Sequence, residues 1–160
     1  MKSWKNWCAS MCNSMSGGNL RPRVLCLDVG ERRIGVAISD LLGLTAQGLE
    51  TIDSKGVARD IERVVQLAES YQVAAIVCGL PKNMNGTEGF QAQRVREFAG
   101  HLEARGYQII YQDERLTTAS ARNVLIEANV SRQKRKQVID KMAAGYILQG
   151  FLDGNGLSRL

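Results

Sequence analysis

A chain of 160 residues carrying 21 Lys and Arg against 16 Asp and Glu can bury one real core and is too short for two substantial lobes. The positive surplus permits a polyanionic partner such as nucleic acid without demanding one. No run approaches the ~20 apolar residues that span a bilayer, and the N-terminus lacks the continuous apolar core of a secretion signal. The four cysteines contain no C-x-x-C pair, so a soluble, cytoplasmic protein without membrane attachment is expected.

Residues 1–20 are rich in Ser, Asn, Gly, Trp and Met, hold no acid and show no clean periodicity; they read as a disordered extension. The start of an organelle transit segment and a misassigned start site both remain open for them. Residues 21–153 read as one domain, and 154–160 as a flexible tail.

From Arg23 the run Val24-Leu25-Cys26-Leu27-Asp28-Val29 is apolar except for one aspartate, the pattern of a central strand covered on both faces. Gly30 breaks it. A second strand, Arg33 to Ser39, alternates Ile34, Val36 and Ile38 with Gly35, Ala37 and Ser39, close enough to the first for a hairpin. A weaker third strand falls between Leu44 and Ile52. Helical spacing at Val57, Ile61, Val64, Val65 and Ala68 predicts a helix over Val57–Ser70, and Val73 to Gly79 reads as a fourth, buried strand.

Pro81 to Gly89 is a polar, turn-rich loop containing Asn85-Gly86, followed by a helix from Phe90 to about Arg105, stopped by Gly106. Tyr107 to Asp113 predicts a fifth strand. Thr117 can cap a helix reaching Ala128, and Ser131 a last helix reaching Leu152. The sum is a five-stranded mixed α/β sheet, three leading antiparallel strands and then two parallel ones, with helices on both faces.

Three carboxylates fall where such a sheet should bury apolar groups. Asp28 shares a strand face with Val24 and Cys26, where an unpartnered carboxylate costs several kcal/mol; the plainer reading is an acid capping the Gly30–Arg33 turn. Asp113 and Glu114 are adjacent at the end of the fifth strand, so at most one faces a cavity shared with Asp28. The plainer reading there is an exposed pair with Arg115. Asp140 opens a helical stripe continued by Ala143, Ala144 and Ile147, or else pairs with Lys136 one turn earlier.

Two carboxylates about 4 Å apart repel by about 4 kcal/mol at an effective dielectric near 20, so a cluster of them favours a cation. Oxygen-only ligation by Asp28, one of Asp113 and Glu114, and Asp140 points to magnesium or manganese, and His101, the single histidine, cannot build a zinc site with cysteines in distant strands. Hard ions held by carboxylates are the equipment of phosphodiester hydrolysis. Arg132, Lys134, Arg135 and Lys136 crowd the start of the last helix, where the macrodipole disfavours cations unless an anion is present. Lys82 and Asn83 follow the fourth strand, a usual place for ligand-facing loops, and can contact phosphate or bases.

Four stretches together resemble a known family: Leu27-Asp28-Val29-Gly30 with Arg32-Arg33-Ile34-Gly35-Val36-Ala37; Gly79-Leu80-Pro81-Lys82-Asn83-Met84-Asn85-Gly86; Asp113-Glu114-Arg115-Leu116-Thr117-Thr118; and Asp140-Lys141 with Ala143-Ala144 and Ile147-Leu148-Gln149. In order and spacing, from about Arg23 to Asp153, they are similar to the YqgF or RuvX-like family. The resemblance implies a ribonuclease H-like fold related to the RuvC resolvases, and a nuclease role in maturing the 5′ end of pre-16S ribosomal RNA; members are also called Holliday junction resolvases.

Carried over by position, the resemblance makes Asp28 the first-strand acid, Glu114 or Asp113 the middle acid and Asp140 the acid of the last helix. Arg32, Arg33, Lys82, Asn83, Arg115, Lys136 and Lys141 are the expected substrate contacts. One departure from RuvC-like enzymes is the end of the fourth strand, Cys78-Gly79-Leu80-Pro81, which carries no acid; one metal ion or two therefore stays open. Precursor rRNA and branched DNA are both open as substrates, as are monomer and homodimer. A nucleotide-binding fold of the actin-like kind would need a second lobe. A non-catalytic nucleic-acid-binding module of ribosome assembly would carry the same acids.

Overall fold

The computed structural model describes residues 21–114 and 132–160, the side chains of 132–141 and of 159 excepted. The extension 1–20 and the helix expected over Thr117–Ala128 lie outside the described residues. Five strands form one sheet in the order β3-β2-β1-β4-β5. β1 (Val24–Val29) is central, antiparallel to β2 (Arg33–Ser39) on one side and parallel to β4 (Ala75–Leu80) on the other. β3 (Ala46–Asp53) forms one edge beside β2, and β5 (Ile109–Asp113) forms the other, parallel to β4. This is the ribonuclease H-like arrangement expected: three antiparallel strands, then two parallel.

Alternation along the strands divides the core in two. Leu25, Leu27, Val29, Ile34, Val36, Ile38, Ile76, Cys78 and Leu80 pack against α1 (Val57–Ser70) and α2 (Phe90–Glu103). On the other face Val24, Cys26, Ala37 and Val77 meet Ala144, Ile147, Leu148 and Phe151 of α3 (Arg132–Asp153). The helices therefore cover both faces. No helix of the described residues is long and apolar enough to cross a membrane.

Two strands start later than their apolar residues suggest, for one reason. Val73 donates its N–H to the Ala68 carbonyl at 3.1 Å and Tyr107 donates to Leu102 at 3.2 Å, so each apolar residue closes the preceding helix by packing back on it rather than opening the next strand. β4 begins at Ala75 and β5 at Ile109.

Asp60 lies outside the apolar spacing that predicts α1 and is nevertheless buried. It accepts the Lys55 N–H at 3.0 Å and the Ser54 hydroxyl at 2.6 Å; the residue before α1, Gly56, offers no side-chain cap. The carboxylate in the first turn thus ties the chain entering α1 to the helix, and its charge suits the positive end of the helix dipole. The last residues, expected as a flexible tail, include a 3-10 turn over Gly156–Arg159. Gly156 is buried against Phe151, and Leu157 packs on the α3-side cluster. That apolar contact holds the turn to the domain.

Candidate active site

Asp28 stands one residue from the end of β1, paired in register with Gly35 of β2. A Cβ built at Gly35 would lie 3.6 Å from the Asp28 Cβ and 3.4 Å from the Ala144 Cβ. Gly35 thus lies between the Asp28 strand and α3, with ordinary contact room on both sides. The chain position of Asp140 is one helical turn before Ala144 on the same helical face; its side chain lies outside the described residues.

Of the adjacent acids in β5 and its exit, Glu114 is the one on this face. Asp113 pairs in register with Leu80, and Leu80, Ile109 and Tyr111 all belong to the α1/α2 side. Glu114, one residue on, turns to the α3 side, where its carboxylate sits over Gly79 of β4: a Cβ there would collide with Glu114 and approach Ile147 Cδ1 to 2.7 Å. The strand end that lacks an acid is the one that gives Glu114 its space.

The electrostatics agree with that placement. Burial, then the nearby Asp28 carboxylate, then Asp113 push the Glu114 carboxyl up from 4.5 to about 7. The Cys26 thiol, raised first by burial, also feels Cys78, Asp28 and Glu114. Cys78 is pushed up to about 12, chiefly by burial. Both thiols are free and buried, and so poor nucleophiles or metal ligands. Among the described residues no group of three or more His, Cys, Asp and Glu side chains could hold a metal ion; Asp140 lies outside that search.

The expected substrate contacts divide. Arg33 opens β2 and reaches Asp53 across the exposed edge at 3.3 Å; Arg32 is exposed, its carbonyl accepting the Ser54 N–H at 2.9 Å. Lys82 bridges to Glu88 at the root of the loop after β4. Asn83 is used within that loop, its Nδ2 donating to Thr87 Oγ1 at 2.9 Å. The side chains of Arg115, Lys136 and Lys141 lie outside the described residues.

Sequence reasoning passed over Gly35 and Gly79 as parts of the site; the signal was a glycine on the same strand face as a buried acid. A cleft of about 310 Å³ opens on the opposite side of the sheet, lined by Val29, Ile34, Asp60, Phe90, Phe98 and His101 among others. The carboxylate pair faces α3, away from that cleft. A phosphodiester backbone needs a shallow groove rather than an enclosed pocket, so the carboxylates mark the candidate site better than the cleft does.

The family model described as RuvX: Holliday junction resolvase matches residues 22–154. The chain belongs to the RuvX family. Among its relatives is a protein of Clostridium kluyveri named "Putative pre-16S rRNA nuclease", 54% identical over 132 residues, covering 82% of this chain and 96% of the relative. A protein of the same name from Moorella thermoacetica is 53% identical over 135 residues, covering 84% and 96%. In shape, RuvC of Thermus thermophilus, solved with a Holliday junction substrate, is similar at a TM-score of 0.45 and 16% identity, covering 63% of this chain and 69% of that one. Fowlpox virus resolvase, solved with Holliday junction DNA, gives 0.44 and 12%, covering 86% and 97%.

Proposed function

We propose that this RuvX-family protein is a metal-dependent endonuclease that hydrolyses nucleic-acid phosphodiesters, acting in 5′-end maturation of precursor 16S ribosomal RNA. The observation that carries the reading is the meeting of Asp28 and Glu114 on one face of the sheet, where Gly79 leaves the space that Glu114 occupies. The relatives' shared name supports the choice of RNA.

Asp28 and Glu114, joined by Asp140 from α3, would hold magnesium or manganese. The donor set fits: it is all oxygen, and the mutual repulsion that raises Glu114 is what a divalent cation relieves. When bound, such an ion supplies charge neutralisation at the phosphate and a water reactive near neutral pH. The chain supplies the geometry. Strand pairing fixes Asp28, and the Glu114 carboxyl, pushed up to about 7 by burial and by Asp28, would be the one to release a proton if it served as a ligand. Arg32, Arg33, Lys82, Asn83, Arg115, Lys136 and Lys141 would hold the phosphate backbone around them, setting register rather than sequence.

The test is cleavage of labelled precursor rRNA and of a four-way DNA junction in magnesium, manganese or EDTA, by the wild type and Asp28→Asn. Metal-dependent RNA cutting that falls about 10³-fold or more in the variant is expected, as for residues that act as one catalytic unit. Cutting of the junction alone would assign the protein to resolution, in line with the family's description. Absence of cutting of either by folded wild type would make it a binding module.

A further inference from the structure

The two most exposed large apolar side chains among the described residues are Met84, 95% exposed, and Phe90, 77% exposed. Met84 lies in the connection between β4 and α2, and Phe90 is the first residue of α2, where it lines the cleft on the α1/α2 side of the sheet together with Val29 and Gly30 at the exit of β1. This connection is internally braced. Asn83 N–H donates to the Thr87 carbonyl at 2.8 Å, and Gly86 N–H to the Asn83 carbonyl at 2.8 Å. Thr87 donates both its N–H and its hydroxyl to Asn85 Oδ1, at 3.1 and 2.6 Å. Arg96 of α2 grips Glu88 through two hydrogen bonds of 2.6 Å. Asn83 Nδ2, Asn85 Oδ1 and the Thr87 hydroxyl are used in holding the turn, so what it presents outward is a thioether at the tip, with a phenyl ring where α2 begins.

The connection leaves from the sheet end where Asp28 and Glu114 meet: Leu80, its last strand residue, accepts the Glu114 N–H at 3.5 Å. A braced arm exposing an aromatic ring and a polarisable thioether at the sheet end that carries a phosphodiester-cutting site suits the flat, apolar faces of bases. Paired bases hide those faces in the stack; unpaired ones offer them. Lys82 at the arm's root can meet the backbone of the same strand. Resting on the nuclease reading above, we infer that the β4–α2 connection and the start of α2 form a base-stacking arm, with Met84 and Phe90 taking unpaired bases of the cut strand where it runs over the β1 and β4 ends of the sheet. The substrate class is then a strand locally unpaired at the cut.

The experiment measures binding of a single-stranded RNA and of the same sequence in a duplex, each labelled with 2-aminopurine, without divalent metal, and cleavage of both with magnesium. Wild type is compared with Met84→Ser, Phe90→Ala and Phe90→Tyr. The expected result is a 2-aminopurine signal with the single strand, and affinity for it reduced about tenfold in Phe90→Ala and less in Met84→Ser. Duplex affinity should barely change, and Phe90→Tyr should restore binding because the ring is what stacks. Since both positions are exposed, melting curves should coincide with wild type. Wild-type cutting with unchanged KM and unchanged single-strand preference in Met84→Ser and Phe90→Ala would overturn the arm and leave the nuclease standing. A parallel loss on duplex and single strand would also overturn it. No binding or cutting by wild type would remove the nuclease reading and the arm together.

Discussion

On the side of the sheet covered by α1 and α2, β1, β2 and β4 present Leu25, Leu27, Val29, Ile34, Val36, Ile38, Ile76, Cys78 and Leu80, every one buried. On the side covered by α3, the alternate residues of the same strands are Val24, Cys26 and Asp28, then Gly35 and Ala37, then Val77 and Gly79. One face is filled with branched aliphatic side chains; the other thins to glycines where the carboxylates gather. A period of two thus lets a single strand serve both purposes, with stability placed on one face and charge on the other. The charged face is tolerable because its neighbour is full: the aliphatic layer offsets the cost of crowding Asp28 and Glu114 together.

Substitutions on either face should break that division in different ways. Leu27→Ala, which opens a cavity on the full face, should cost about 2–5 kcal/mol in denaturant unfolding. It should leave metal dependence of cleavage unchanged at a temperature where the variant is folded; a changed metal requirement would mean that the faces are coupled.

Glu114→Gln tests the cost of the other face. The folded-state pKa of Glu114, about 7, lies above its ordinary 4.5, so the folded protein holds this proton more tightly than the unfolded chain does. The stability it contributes is complete below about pH 4.5 and declines as pH rises towards 7, the opposite of an ion-paired carboxylate. Without metal, the wild type should therefore lose on the order of 2–3 kcal/mol between about pH 4.5 and about pH 8 from this group. Denaturant unfolding of Glu114→Gln should lack that slope. An identical slope in both proteins would place the carboxyl in water.

Gly79→Ala asks how tightly the space is drawn. The added methyl meets the Glu114 carboxylate and Ile147, so a loss of about 1–3 kcal/mol is expected with a fall in cleavage rate. Full activity with the loss of stability alone would show that Glu114 can retreat without consequence.

Much of this was legible along the chain. An aspartate inside an apolar strand, an alternating second strand close enough for a hairpin and a helix with a small apolar stripe are local patterns, and they led to β1, β2 and α3. Local pattern misled where an apolar residue served a helix end: Val73 and Tyr107 read as strand yet close α1 and α2 through bonds to Ala68 and Leu102. It was silent at Asp60, because an acid in the first turn of a helix looks alike whether it faces water or accepts the Lys55 N–H. It could say only that Asp113 and Glu114 face opposite ways, while the pairing of Asp113 with Leu80 selects Glu114. The bracing of the Met84 turn by Asn83, Asn85 and Thr87 was likewise hidden, since these polar residues read simply as loop.

By itself, the sequence determined the order and kind of the strands and helices among the described residues, the one acid set in a central strand, and the family. These depend on periodicity and on short motifs, which neighbouring residues carry among themselves. Only the tertiary structure decided that Gly79 lies beneath Glu114, that Gly35 lies between Asp28 and Ala144, and that the two acids share a face. Those facts depend on which strand lies beside which. With β4 between β1 and β5, side chains far apart along the chain are set side by side by long-range pairing, which local pattern does not record.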